Sequence, residues 1–158
     1  MTDNYTLRPL AELDVSKMLD LLPQLANFNV PDRRNPKDLW ESDAALLKRV
    51  AQGKTQHSYV EVIADIDNEP LGLILVTLRK ELLSHAPSAH LEAIVVAPKA
   101  RGLGLGKRLL THAEQTAARK GAQSISLHVF ANNVRARRLY DHHGYDSELI
   151  RAIKWLDD

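Results

Sequence analysis

At 158 residues the chain is the size of one domain able to bury its own core, so a single domain over residues 1–158 is expected. Apolar residues at 44% and charged residues at 26% argue against disorder, and a formal net charge of +1 gives no basis for nucleic acid or a membrane as the main partner. The absence of Cys excludes a disulfide framework, a thiolate metal site and a Cys nucleophile. No basic-then-apolar leader and no run of about 18 apolar residues is present, which makes the cytoplasm the expected compartment and small molecules the expected partners.

In chain order, Tyr5 to Leu10 alternates enough for a short strand ended by Pro9. Val15, Met18, Leu19 and Leu22 recur as one helical face, which Pro23 is expected to close. Asn27 to Lys37 has two prolines and no periodicity and reads as a loop; a second helix runs from about Leu39 to Gly53 with Leu46, Leu47 and Val50 inward. Ser58 to Ile66 and Leu71 to Arg79 are β-rich runs around the turn-forming Asp67-Asn68-Glu69-Pro70, a hairpin pattern. Lys80 to Ala89 is a connection into the apolar strand Leu91 to Val96. Leu105, Leu109, Leu110, Ala113 and Ala117 form a helical face ending at Gly121, and Ile125, Leu127 and Val129 alternate as the next strand. Asn132 or Asn133 caps a further helix with Ala136, Leu139 and Tyr140 on one side and Gly144 as its stop. Tyr145 to Ser147 and Leu149 to Leu156 are expected as closing strands.

The stretch that carries chemistry is HLEAIVVAPKARGLGLG, His90 to Gly106: a buried strand, a basic glycine-rich turn and the start of a helix. Backbone N–H groups in such a turn, at the positive end of a helix, suit a phosphate or pyrophosphate. A nucleotide P-loop is excluded because Arg101 and Arg108 stand where it needs Gly and Ser or Thr. A dinucleotide fingerprint is excluded because Lys107 or Leu109 stands at its last glycine. What remains is Arg101-x-x-Gly104-x-Gly106, behind a strand that carries Glu92.

Two motifs resemble the GNAT superfamily of acyl-CoA N-acyltransferases. The acyl-CoA motif is met at Arg101, Gly104 and Gly106, and a later segment at Asn133, Ala136, Tyr140, Gly144 and Tyr145. The resemblance spans about Tyr5 to Leu156 and is specific from His90 to Tyr145. It implies an α/β fold of mixed α+β type: a mostly antiparallel sheet of six to seven strands with splayed central strands, flanked by about four helices. It further implies acetyl-CoA as co-substrate, its pantetheine arm along Ile94, Val95 and Val96, and its pyrophosphate in the loop Arg101, Gly102, Leu103, Gly104, Leu105, Gly106 and Lys107, with Asn133 touching the cofactor or ordering its turn. Lys99, Arg135, Arg137 and Arg138 are basic candidates for the ribose phosphate. Tyr140 stands where the family places its general acid.

The base is read from the strand. An ionised carboxylate within an apolar strand is costly unless it faces a wet cleft, which singles out Glu92; an ion pair with a neighbouring Arg or Lys is the structural alternative. His90 and His128 are further candidates for the base or for substrate binding, and Phe28, Asp32, Arg33 and Arg34 for the acceptor loop. His142 and His143 suit the negative end of a helix, and no metal-ligand spacing is present. The reading is an N-acetyltransferase acting on a small primary amine, monomeric or homodimeric. Its alternatives are a protein N-terminal or lysine acetyltransferase and a non-catalytic acyl-CoA-binding or sensing domain.

Overall fold

The structure, a computed structural model, describes residues 3–157. The chain forms two compact units, one running through His128 and one from Val129 onward. The first holds a five-stranded sheet in chain order: β1 (Thr6–Pro9), β2 (Ser58–Ala64), β3 (Pro70–Lys80), β4 (Pro87–Val96) and β5 (Ile125–Leu127). The first four strands are antiparallel neighbours, and β5 lies parallel to β4 through Ala89–Leu91 only. The mixed, mostly antiparallel class is as expected.

Alternation along the strands divides the sheet's two faces. Val60, Val62, Leu73, Leu75, Ala93 and Val95 form one core with Met18 and Leu21 of α1 (Val15–Leu21), Leu22, and Leu47 of α2 (Glu41–Ala51). On the other face lies α3 (Leu105–Arg119), whose Leu105, Leu109, Leu110, Ala113 and Ala117 are all buried. Gly72 permits that packing. A Cβ there would stand 2.6 Å from the Val95 carbonyl oxygen and 3.1 Å from Leu109 Cδ1, so only glycine lets helix and strand approach. At its outer end α3 is tied to β2 by polar contacts: His112 Nε2 meets Glu61 Oε1 at 2.8 Å and Thr116 Oγ1 meets the Tyr59 hydroxyl at 2.7 Å.

Several boundaries differ from the sequence expectation. The α-helix ends at Leu21, just ahead of Pro23 as expected, but the chain continues into a 3-10 helix, Leu22–Ala26, whose first turn holds Pro23 where its missing N–H costs nothing. A second 3-10 turn, Pro36–Leu39, interrupts the loop before α2, with the Asn35 side chain accepting from Lys37 N. β2 stops at Ala64, short of Ile66, whereas β3 and β4 run longer than expected, so that residues 81–86 alone join them. Asp14 was not singled out in the sequence, yet it is buried and accepts two bonds from Arg8, at 2.6 and 3.0 Å, which anchor β1 to the start of α1. Arg8 holds its carboxyl below the usual range.

The second unit contains α4 (Val134–His142), entered through Asn133, whose side chain accepts from Ala136 N at 3.3 Å. Among the described residues the closing strands expected at Tyr145 to Ser147 and Leu149 to Leu156 are not formed, and β5 ends at Leu127 without reaching Val129. The sheet therefore has five strands rather than six or seven. An alternating apolar sequence becomes a strand only when a neighbouring backbone accepts its hydrogen bonds, and no ladder reaches this segment.

Candidate active site

Glu92 occupies a β-bulge. Along the β3–β4 ladder Leu75 faces Ala93 and Val76 faces Leu91, which leaves Glu92 as the extra residue. In a regular strand His90 and Ala93 would lie on opposite faces. Here His90 pairs with Thr77 while Ala93 joins the core beneath α1 and α2, so both stand on the same side with Glu92 between them. The bulge thus turns a carboxylate out of an apolar ladder toward the α2 face.

A chain of polar side chains meets it there. Ser58 Oγ and Thr77 Oγ1 are 2.8 Å apart, and Thr77 Oγ1 donates to Glu92 Oε2 at 3.5 Å. From the other direction His90 Nε2 lies 3.5 Å from Glu92 Oε1, and His90 Nδ1 is 2.8 Å from Ser126 Oγ on β5. Burial, then Arg79 and His128, lower the His90 pKa to about 4, so the imidazole is neutral at pH 7 and faces Glu92 as a hydrogen-bonding group rather than as a cation. The His128 ring stacks on it at a tilt of 58°, centroids 4.7 Å apart. Sequence reasoning named Glu92, His90 and His128, and the fold brings these three together.

Asp43 is the member it missed. This residue lies in the first turn of α2, one turn before fully buried Leu47 and hence on the helix side that faces the sheet. Its carboxyl pKa is raised to about 7, first by burial and then by the charge of Glu92. An acid four residues before an apolar position looks in sequence like an ordinary N-terminal helix acid, and only the packing of α2 reveals which way it points.

The glycine-rich turn follows β4 directly. Gly104 is the N-cap of α3 with φ +77°, a left-handed conformation that favours glycine, and no side chain caps the helix. The first-turn N–H groups of Leu105, Gly106 and Lys107 have no hydrogen-bond partner among the described residues, and a Cβ built on Gly102 or Gly104 would meet nothing within 4 Å. Open donors, open space and a 15-residue helix behind them suit a pyrophosphate. The side chain of Arg101 points elsewhere: Nη2 donates to Gln24 Oε1 at 3.0 Å, and with the Asn27 carboxamide oriented oxygen-first the guanidinium also reaches it at 3.1 Å. Beyond Leu91, β4 has no partner on its β5 side among the described residues, so Ile94, Val95 and Val96 line a splay with that backbone edge open.

In the second unit, burial raises the Tyr140 hydroxyl pKa to about 12, and its ring makes an edge contact with Tyr145 at 5.8 Å. Asn133 is engaged in capping α4, the turn-ordering role. His142 and His143 direct Nδ1 to the carbonyls of Arg138 and Leu139, at 2.7 and 3.1 Å, as helix-end groups. Of the basic candidates, Lys99 pairs with Glu69 at 2.7 Å and Arg137 donates to the Ala131 carbonyl at 2.8 Å. Phe28 lies in the turn after the Leu22–Ala26 helix, its carbonyl accepting from Val30 N at 2.8 Å. Among the described residues no cluster of three or more His, Asp or Glu could hold a metal ion, and no helix is long and apolar enough to cross a membrane.

A bulged carboxylate beside an open strand edge is thus followed by a glycine-rich turn with free N–H groups, and comparison with known proteins gives the class. The chain belongs to the acetyltransferase (GNAT) family, whose model matches residues 19–145. It is 30% identical over 115 residues to the uncharacterized N-acetyltransferase YhfO of Bacillus subtilis, covering 73% of this chain and 74% of that protein. Its fold matches a putative acetyl transferase from Pyrococcus furiosus with a TM-score of 0.77 at 24% identity, over 96% of this chain and 99% of the other. It also matches AAC(6')-Iy, solved with the bisubstrate analogue CoA-S-monomethyl-acetylneamine, with a TM-score of 0.73 at 18% identity over 99% of both chains. The protein is therefore an acetyltransferase enzyme by family.

Proposed function

We propose that this protein transfers an acetyl group from acetyl-CoA to the primary amine of a small molecule, by direct attack of the amine on the thioester. The observation that carries the reading is Glu92, turned by the bulge toward the α2 face where the strands begin to part. The solved complex of AAC(6')-Iy with a CoA bisubstrate analogue supports both the cofactor and the class of acceptor.

When bound, the thioester supplies an activated acyl group; the rest falls to this chain. Open N–H groups of Gly102 to Lys107 hold the pyrophosphate, and the free edge of Ile94 to Val96 orients the pantetheine arm. An alkylamine with a pKa near 10 arrives as ammonium and must lose a proton before it can attack. Glu92 binds that ammonium and receives or relays its proton, while Thr77 and neutral His90 keep the carboxylate in place. Tyr140, assigned by its place between Asn133 and Gly144, donates to the departing sulfur; with a pKa of about 12 it retains its proton at every working pH. Phe28, His90 and His128 complete the proposed acceptor side, and the cytoplasm is the proposed compartment.

The test is Glu92→Gln assayed with acetyl-CoA and a panel of amines by release of free thiol. Activity is expected to fall on the order of 10²-fold with the pH–rate profile displaced to higher pH and acetyl-CoA binding unchanged. A folded variant with the wild-type profile would remove Glu92 from the chemistry.

A further inference from the structure

Arg101 opens the glycine-rich turn, and its side chain reaches away from it. Nη2 donates to Gln24 Oε1 at 3.0 Å, and Asn27, with its carboxamide oxygen toward the guanidinium, accepts from Nη1 and Nη2 at 3.1 and 3.2 Å. Gln24 and Asn27 close one turn: Asn27 is the C-cap of the 3-10 helix Leu22–Ala26, and its N–H donates to the Gln24 carbonyl at 3.0 Å. A planar guanidinium fork can hold two such carboxamides at once, which a lysine cannot do. Among the described residues no carboxylate pairs with Arg101, so the contact rests on the geometry of the fork rather than on neutralised charge.

The two segments joined in this way have different tasks. On one side the 3-10 helix packs against β4, with Leu22 fully buried in the core that holds Ala93 and Val95. Phe28 follows Asn27 directly, and the loop that it begins carries local backbone bonds, from Val30 N to the Phe28 carbonyl at 2.8 Å and from Arg34 N to the Pro31 carbonyl at 2.9 Å. At the far end of the loop Asn35 caps Pro36–Leu39, and that turn packs back on Leu22–Ala26. A loop whose ends meet is held chiefly at those ends, and Arg101 supplies the near one from 77 positions away. On the other side lies a turn with Gly102 and Gly104 at φ +79° and +77°, followed by N–H groups of Leu105, Gly106 and Lys107 that have no partner among the described residues. Little restrains such a backbone until an anion engages its donors.

We infer that Arg101 is a positioning residue whose guanidinium latches the start of the acceptor-side loop, residues 27–35, to the glycine-rich turn, so that a pyrophosphate that fixes the turn also orders the loop. This rests on the reading that acetyl-CoA fills the turn and that Phe28 belongs to the acceptor side. Backbone N–H groups suffice for the pyrophosphate, which leaves the side chain of the turn's first residue for the second task. A ligand that restricts one segment lowers the cost of ordering whatever is tied to it, and the coupling is reciprocal: a loop ordered by the amine tightens acetyl-CoA by the same factor.

Amide hydrogen exchange with and without saturating acetyl-CoA tests this and needs no acceptor. In the wild-type protein, peptides covering residues 28–35 and 102–107 are both expected to exchange about tenfold more slowly once acetyl-CoA is bound. Arg101→Lys keeps the charge and loses the fork: the turn should remain protected and acetyl-CoA affinity by calorimetry should change by less than about threefold, while the protection of residues 28–35 disappears. Gln24→Leu combined with Asn27→Ala removes the latch from the opposite side and should uncouple the loop in the same way with the turn's own sequence intact. A side chain that served only the fold would alter loop exchange equally with and without acetyl-CoA. Bound acetyl-CoA that leaves the wild-type loop unprotected, or protection that survives in both variants, would overturn the inference, and a tenfold loss of acetyl-CoA affinity confined to Arg101→Lys would make Arg101 a cofactor ligand instead. A wild-type protein that binds no acetyl-CoA at all would refute the proposed cofactor, and the coupling with it.

Discussion

Replacing Asp43 by Asn removes a charge that the native fold accommodates poorly, so the variant should be more stable than the natural protein, and only at one end of the pH scale. The carboxyl is held near 7 instead of its ordinary 3.8, by burial and then by Glu92. Between those values the native state keeps a proton that the unfolded chain has lost. Stability therefore declines as pH rises from about 4 to about 7, and the cost is complete above that. At about 1.4 kcal/mol per pH unit the interval sets a ceiling of about 4 kcal/mol. Because Asp43 is only partly buried, screening leaves about 1 to 2 kcal/mol, which for a chain of this size is a melting shift of roughly 3 to 6 °C. Thermal unfolding of both proteins from pH 4 to pH 8 tests this: the curves should coincide at pH 4 and separate at pH 8 with Asp43→Asn higher. Glu92, His90 and His128 share the same face, so the comparison is between the two proteins at each pH rather than along either curve. A variant that melts lower at pH 8, or by the same margin at every pH, would show that Asp43 is a stabilising ion and refute the reasoning.

Other expectations follow from single contacts. Gly72→Ala forces a methyl against the Val95 carbonyl and Leu109 and should destabilise by about 1 to 3 kcal/mol in denaturant unfolding; an unchanged midpoint would mean that α3 can lift from the sheet at no cost. Gly104→Val meets open space but strains a left-handed position, so the protein should fold with a loss on the order of 1 kcal/mol while acetyl-CoA affinity by calorimetry drops at least tenfold; intact affinity would remove the turn from the binding site. Tyr140→Phe keeps the ring beside Tyr145 and should lower turnover on the order of 10²-fold without weakening acetyl-CoA binding, and unchanged turnover where chemistry is rate-limiting would make the hydroxyl structural.

What the chain states by itself is local. The glycine-rich turn is legible because its features are written in adjacent residues: Gly104, which takes a positive φ, uncapped N–H groups after it, and a helix whose apolar period runs to Ala117. The hairpin, the burial of α3 and the cap at Asn133 are legible for the same reason, since propensity and period act over a few residues. Glu92 stands out because a carboxylate interrupts an apolar run, although nothing in that run announces the bulge, which exists only as a mismatch of register against β3. The neighbours that Glu92 meets among the described residues are a threonine hydroxyl and a neutral histidine rather than an Arg or Lys. Arg101 carries the acyl-CoA motif in sequence, yet its side chain is spent on Gln24 and Asn27, contacts 77 residues away for the first of them. The closing strands were misjudged because a strand is half of a ladder, and its other half is supplied by tertiary structure. Asp43 lies furthest from sequence inference. Its raised pKa depends on α2 packing against one face of the sheet, which buries the carboxyl and brings it within reach of the charge of Glu92, 49 positions away.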